Sequence, residues 1–294
     1  MSKKRGLIFF NPISGKGRAR KESGKFFRIL SNHFSMEEIS GKSRIEAESN
    51  LNRSVKDINF LIAVGGDGLM NMALQEAYGK DFTLYVHPSG TGNDFSRNHF
   101  YKLSDEKSIL DKFKRLESKF IDVAEVVICG KKRIFGQILS AGFDSYVNKR
   151  ANTLKLLGGT VRYVLALFLE LRSFKPIDYE IDLDGKSIYR RAMMVVVANG
   201  ATYGGGMKVV PHALANDGWL DVLVVNEISK FRFLLVFPRV YKGSHIGHPK
   251  IELFKCKSMR VKSIAPVYAD GEHFGDGDFT VQLKPNAVKI LETN

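Results

Sequence analysis

The sequence predicts an α/β lobe with a mostly parallel sheet, followed by a β-rich, sandwich-like lobe. Three observations carry this. Early in the chain, apolar runs alternate with helical patterns, which is the signature of a parallel sheet covered on both faces. Each of the first three apolar runs ends in a glycine-bearing turn. Beyond about residue 118 the texture changes to short strand-like runs at close spacing, as in an antiparallel sandwich.

The elements follow in order. LIFF (7–10) reads as a buried strand running into NPISGKG (11–17), and a basic helix follows with Phe26, Phe27 and Leu30 on its apolar face. Residues 35–56 are polar, and within them IEAESNLNRSVK reads as helical. NFLIAV (59–64) is a second strand; GGDG (65–68) ends it and opens a helix that puts Leu69, Met72, Ala73 and Ala77 on one face. FTLYVH (82–87) is a third strand, ending in PSGTGND.

In the second lobe, KFIDVAEVVIC, a GKKR turn and IFGQILS read as a hairpin. YEIDLDGKSIYRRAMMVVVANG places Asp-Gly, a favoured hairpin pair, between two strands. WLDVLVV, KIELFKC, SMRVKSI, FTVQLK and AVKIL are further strands, interrupted by helices near 160–172 and 230–241. The expected division is residues 1–122 and 123–294, with the last residues able to pack back on the first lobe.

The 294 residues suit one large or two ordinary domains, and an apolar fraction of 44% supplies a core. Forty-five basic against 31 acidic residues give a formal charge of +14, which points to a polyanionic surface or a phosphorylated ligand. Two isolated cysteines, Cys129 and Cys256, make neither a disulfide framework nor a zinc motif, so a reducing compartment is expected. The N-terminal apolar run is shorter than a signal-peptide core. The longest apolar stretch, 154–171, carries Lys155, Arg162 and Glu170 and does not read as a membrane span. A cytoplasmic protein is expected.

The three glycine turns carry the chemistry. Strand ends on one side of a parallel sheet share one crevice, where ligands of open α/β folds bind. Glycines there let backbone N–H groups approach an anion, and the next helix start adds partial positive charge. Lys16 supplies a cation; Asp67 and Asp94 would serve a metal that itself holds phosphates. Any one such turn is an ordinary loop, and the chain has neither a P-loop nor a G-x-G-x-x-G motif after a strand. Three at successive strand ends make a phosphate site the better reading.

NPISGKG, GGDGLMN and PSGTGND, in this order, resemble the diacylglycerol kinase and sphingosine kinase superfamily of lipid kinases. AGFDSYV (141–147), NGATYGGGMKVVPHALANDGWLDV (199–222) and ADGE (269–272) extend the resemblance to the bacterial diacylglycerol kinase branch and to almost the whole chain. It implies a nucleotide lobe related to phosphofructokinase and NAD kinase, then a β-rich lipid lobe. It implies ATP and Mg2+ as cofactors, and transfer of the γ-phosphoryl group to a lipid hydroxyl, diacylglycerol first. A sphingoid base, ceramide or phosphatidylglycerol is the alternative acceptor.

The resemblance also implies roles. Asn11, Ser14, Gly15 and Lys16 fall in the first phosphate turn, and Gly65, Gly66 and Gly68 line the nucleotide. Asp67 supports the catalytic metal, Thr91 and Asn93 contact ATP, and Asp94 and Asp122 join the charge network of Asp67. Asn71 is the asparagine of the GGDG helix and counts with the nucleotide residues. Asp270 and Glu272 supply the general base, without a decision between them. Asp217, with backbone oxygens near Leu214 and Trp219, corresponds to a structural magnesium site. Leu69 stands where the bacterial branch usually has threonine, and Met72 where a glutamate is common, which touches nucleotide contacts and acceptor but not the reaction class.

A kinase acting on a membrane lipid must dock on the membrane. Basic residues cluster at 131–133, 149–155 and 250–262, and each near an anionic surface is worth about 1 kcal/mol. Val161, Val164, Leu165, Phe168 and Leu169 would lie along one side of a helix, whose packing against the β lobe is favoured over membrane insertion. His245 and His248 read as loop histidines. A homodimer is compatible with the sequence. Rival readings are an NAD kinase, which shares GGDG but not PSGTGND; a silent lipid-binding module, which the four acidic residues Asp67, Asp94, Asp270 and Glu272 speak against; and a nucleic-acid binder, for which only net charge speaks.

Overall fold

The computed structural model describes residues 3–90, 92–100, 102–154 and 159–293. It divides into two compact units, residues 1–122 with 285–294 and residues 123–284.

In the first unit, β1 (Arg5–Phe10), α1 (Arg18–Leu30), β2 (Ser35–Ile39), α2 (Arg44–Ser54), β3 (Phe60–Gly65), α3 (Asp67–Ala77) and β4 (Thr83–Pro88) alternate as the hydrophobic pattern requires. α4 (Asp94–His99) and α5 (Glu106–Arg115) follow. The strands lie parallel in the order β2-β1-β3-β4. Their side chains are buried on both faces of the sheet: Leu7, Ile8, Phe9 and Phe60 through Val64 are fully enclosed, as expected for parallel strands covered by helices. Phe26 of α1 and Phe113 of α5 cover one face, with Phe60 and Tyr85 in the same aromatic cluster. Strand β2 was not visible in the polar text of 35–39, because only Ile39 of its five residues is buried. α3 buries Met70 and Leu74 along with Leu69, Ala73 and Ala77, whereas Met72 is only half-buried, so the helix is enclosed on more than one side.

β5 (Ser118–Ile128) runs from the first unit into the second, where it pairs with β6 (Lys131–Phe135) across the Cys129-Gly130 turn. Then come β7 (Ile138–Gly142), α6 (Phe143–Thr153), α7 (Gly159–Ser173), β8 (Ile177–Leu183), β9 (Lys186–Ala198) and β10 (Leu220–Asn226). They are followed by α8 (Lys230–Val236), a 3-10 helix (Phe237–Tyr241), β11 (Ile251–Cys256), β12 (Ser258–Lys262), β13 (Pro266–Ala269), β14 (Glu272–Asp276) and β15 (Phe279–Leu291). Apart from β15 these strands pair antiparallel. β8 and β9 join through Asp184-Gly185, both left-handed as a two-residue hairpin turn requires. The core is one cluster of aliphatic side chains from β7, β9, β10 and β12 with Phe143 of α6, Phe233 of α8 and Phe174 just after α7.

Two boundaries differ from the sequence reading. IFGQILS is not one strand: it breaks at Gly136-Gln137, because the N–H groups of residues 136 to 138 turn toward the Asp270 carboxylate. FTVQLK and AVKIL are a single strand, β15. Its first part pairs antiparallel with β12, while Ile290 lies parallel beside Leu84 of β4. Residues 285–294 therefore count with the first unit, where Leu291 is wholly buried in the core, and the second unit ends at Lys284 rather than at Asn294.

Candidate active site

The three glycine turns meet in the first unit. The N–H of Asn11 bonds to Val64 O at 3.4 Å, and the Asn11 side-chain oxygen accepts the Ile13 N–H at 3.2 Å, which closes the first turn. Gly15, Lys16 and Gly17 are all left-handed, with φ of 60°, 57° and 87°. They leave Lys16 exposed just before α1. Ser14 Oγ donates to Ser89 O at 3.4 Å, joining the first turn to the third. Ser89 N–H donates to Gly65 O at 2.9 Å, joining the third to the second.

The second and third turns touch at their glycines. A Cβ on Gly90 would stand 2.5 Å from the Gly66 Cα, and one on Gly92 would stand 2.1 Å from Asp67 Oδ2. Neither position accepts a larger residue without displacing its neighbour. Gly66 caps α3, its carbonyl accepting from Leu69 and Met70, and no side chain caps the helix. Its first N–H groups are thus available to an anion. Asn93, left-handed at φ 58°, clamps the third turn: its side chain accepts the Gly90 N–H at 3.0 Å and donates to Gly90 O at 2.8 Å. Arg97 donates to Gly92 O at 3.1 Å. Thr91 lies outside the described residues.

The carboxylates set the electrostatics. Burial, and then the negative charge of Asp94, push the Asp67 carboxyl up to about 6. Two acidic groups in one partly dehydrated place repel each other and favour a cation between them. Asp94 itself is 6% exposed. One turn along α3 from Asp67, on the same helix face, Asn71 is buried with neither side-chain atom hydrogen-bonded. Ser89 Oγ is likewise buried and unpartnered. Unsatisfied buried polar atoms are costly and mark a place that a ligand completes. Among the described residues no three His, Cys, Asp or Glu side chains gather as a metal cage. Asp67 and Asp94 nonetheless fit a magnesium ion of the kind held by one or two carboxylates, with phosphate and water oxygens completing the shell.

The other predicted residues sit on other elements. Asp122, nearly fully buried at the end of the first unit, accepts the Asn286 N–H on Oδ1 at 2.8 Å. In the second unit, Asp270 is left-handed at φ 49° and 8% exposed. Its Oδ2 accepts Gly136 N–H at 2.8 Å, and its Oδ1 accepts Gln137 and Ile138 N–H at 3.0 and 3.2 Å. Glu272 is half-buried at the start of β14. Asp217 accepts its own turn's Trp219 N–H at 3.0 Å and the Lys255 ammonium at 3.0 Å; Leu214 and Trp219 are exposed.

The second unit also holds a cavity that sequence reasoning did not assign. It encloses about 680 Å³ of empty space, part of it open to solvent, and is walled by apolar side chains such as Leu167, Met194, Leu223, Phe233 and Val240. Its few polar groups converge. Asp144, 4% exposed, accepts the Tyr203 hydroxyl at 3.0 Å on Oδ2, while Oδ1 has no partner. Burial pushes this carboxyl up to about 6. His245 reaches Val209 O at 2.9 Å through Nε2 and leaves Nδ1 unpartnered. The available signal was the lone aspartate in the apolar text SAGFDSYV.

Helix α7 departs from expectation. Its Ala166, Leu167 and Leu171 pack inward, but Val164, Leu165, Phe168 and Leu169 are exposed at 47%, 39%, 54% and 42%. The favoured packing of these four against the β lobe does not occur, because the inward side is taken by the neighbouring positions; the side chain of Val161 lies outside the described residues. Phe231, Leu235 and Tyr241 are exposed on α8 and the 3-10 helix. These are the helices that, on their inner sides, wall the cavity. The basic clusters are in part consumed internally: Lys132 pairs with Glu125, Arg150 with Glu170 and Lys262 with Glu180. No helix among the described residues is long and apolar enough to cross a membrane.

Comparison with known proteins agrees with the geometry. Residues 5–126 match the diacylglycerol kinase catalytic domain, and residues 137–292 match the YegS C-terminal NAD kinase beta sandwich-like domain. A diacylglycerol kinase of Mycobacterium tuberculosis is 31% identical over 286 residues, covering 96% of this chain and 93% of the relative. A diacylglycerol kinase of Staphylococcus aureus is 26% identical over 284 residues, covering 93% and 87%. The crystal structure of a diacylglycerol kinase from Bacillus anthracis shares the fold, with a TM-score of 0.71 at 21% identity over 99% of this chain and 97% of that one. Two lobes, three converging glycine turns and two matched domains lead to one assignment: the chain belongs to the diacylglycerol kinase family and is a lipid kinase.

Proposed function

We propose that the protein transfers the γ-phosphoryl group of ATP, bound with magnesium, to the hydroxyl of diacylglycerol. The observation that carries this is the junction of three glycine turns around Asp67, whose carboxyl is raised by burial and by Asp94. The N–H groups at the start of α3 and the first turn, with Lys16, orient the phosphates, and Asn71 and Ser89 supply buried polar atoms to the nucleotide. Asp67, supported by Asp94, would hold the cation, which would supply positive charge to the phosphate oxygens. Little else is asked of the protein than positioning and electrostatic stabilisation.

Asp270 and Glu272 divide their work. Three backbone N–H groups occupy the Asp270 carboxylate, so Asp270 shapes the turn and Glu272 takes the proton of the lipid hydroxyl as the phosphoryl group arrives. The apolar cavity of the second unit accommodates acyl chain, since its lining offers dispersion contacts and few polar groups. The exposed apolar positions of α7 and α8, with Arg232, Arg239 and Lys242 exposed beside them, form the face that rests on an anionic membrane.

The test is incubation of purified protein with γ-labelled ATP, magnesium and vesicles carrying diacylglycerol, sphingosine, ceramide or phosphatidylglycerol in turn. Label in phosphatidic acid is expected. Label in a different lipid alone would move the acceptor, and label in none would overturn the assignment of these substrates.

A further inference from the structure

The Asp217 turn does not match a divalent-cation site in this chain. The backbone register decides this before any rotamer does: in the antiparallel pair β10–β11, Lys255 stands directly opposite Asp221. Its ammonium reaches Asp217 Oδ2 at 3.0 Å and lies 3.9 Å from Asp221 Oδ1. The Asp221 side chain is 3% exposed, and the imidazole Nε2 of His212 stands 3.3 Å from it. The remaining Asp217 oxygen accepts the Trp219 N–H of its own turn. A magnesium ion requires about six oxygen ligands at short range. Here both Asp217 oxygens already have donors, and a dication would sit against a lysine whose strand position returns it to the same two carboxylates. Just past the end of β11, Lys257 lies 4.9 Å over the Trp219 ring, adding a second positive charge to the turn.

We infer that Lys255 takes the place of the structural cation, so that the NDGWLD turn and the β10–β11 edge are held by an internal ammonium and need no bound metal. The positive charge of a dication is met in two parts: Lys255 stands between Asp217 and Asp221, and Lys257 lies over the Trp219 ring of the same turn.

The experiment uses the full chain with Asp67→Asn, so that a cation at the nucleotide turns is not counted. Metal content after purification and melting temperature with chelator or with magnesium are measured, with and without the additional Lys255→Met change. The Asp67→Asn chain should carry sub-stoichiometric metal and melt at the same temperature in chelator and in magnesium. The Lys255→Met chain should melt lower in chelator and regain roughly 2–4 °C when magnesium is added. Lys255→Arg should keep the metal-independent behaviour. Stoichiometric metal in the Asp67→Asn chain, or a melting temperature that falls in chelator, overturns the inference; so does a Lys255→Met chain whose stability ignores magnesium. If that variant fails to fold, the metal content and chelator response of the Asp67→Asn chain decide alone. Because every readout is structural, this result is independent of which lipid the enzyme phosphorylates.

Discussion

The carboxylate of Asp67 occupies the space that a side chain on Gly92 would need: a Cβ there would stand 2.1 Å from Asp67 Oδ2. The third glycine turn thus works as a wall that holds the acidic group in position. Gly92→Ala should displace Asp67 without unfolding the unit, since only a side-chain oxygen has to move. Turnover should fall at least tenfold, about 1.4 kcal/mol of transition-state stabilisation, while the melting temperature stays near that of the parent. Steady-state kinetics beside a thermal melt checks both.

Asp270 and Glu272 should respond differently to substitution. Asp270→Ala leaves three N–H groups around Gly136 to Ile138 without their acceptor, so roughly 2–4 kcal/mol is lost and the melting temperature drops by roughly 5–10 °C. Glu272→Gln should keep the melting temperature and nucleotide binding yet remove lipid-dependent turnover. Full turnover in Glu272→Gln would return the proton-accepting role to Asp270.

His87 makes acid stability measurable. It is fully buried, and Tyr85, whose hydroxyl accepts the Leu103 N–H at 3.1 Å, hydrogen-bonds to its Nδ1 at 3.2 Å. Burial lowers its pKa from 6.5 to about 3. A base depressed in the folded state contributes stability that is complete above 6.5 and is lost as pH falls toward 3, with a slope of about 1.4 kcal/mol per pH unit. Asp144 acts with the opposite sign: raised from 3.8 to about 6, it contributes fully below 3.8 and loses that contribution as pH rises through 6. His87→Phe should flatten the acid limb of a melting-temperature profile, and Asp144→Asn should steepen it.

The exposed face of α7 predicts a separation of membrane contact from folding. Replacing Leu165, Phe168 and Leu169 by Ser removes apolar surface that the protein itself does not bury. Each such side chain is worth about 1.5–3 kcal/mol when it enters an apolar phase. Binding to diacylglycerol-containing anionic vesicles should fall more than tenfold with an unchanged thermal melt, and raising salt should weaken binding of the parent as the basic residues are screened.

Much of this was written in the sequence where chemistry and local geometry coincide. NPISGKG, GGDG and PSGTGND announce their turns because glycine and asparagine are the residues that such backbones demand, and the β8–β9 hairpin was visible for the same reason at Asp184-Gly185. The break at Gly136-Gln137 was not visible, since it depends on Asp270, far along the chain. Strand β2 escaped because it lies at a sheet edge and buries little. Asn71 was legible as a nucleotide residue only through the motif it belongs to, and its burial without side-chain partners is a tertiary fact; Asp144 gained meaning only when the cavity closed around it. The outward turn of Phe168 and Leu169 was misjudged because periodicity identifies an apolar helix side but not what it faces.

The central claim is that the three turns and Asp67 hold the phosphates of a magnesium-bound nucleotide. Calorimetric titration of a non-hydrolysable ATP analogue, with and without magnesium, into the parent protein and Asp67→Asn tests it most directly. Magnesium-dependent binding by the parent, weakened at least tenfold in Asp67→Asn, is the predicted result. Equal affinity in the two proteins, or binding indifferent to magnesium, would contradict it.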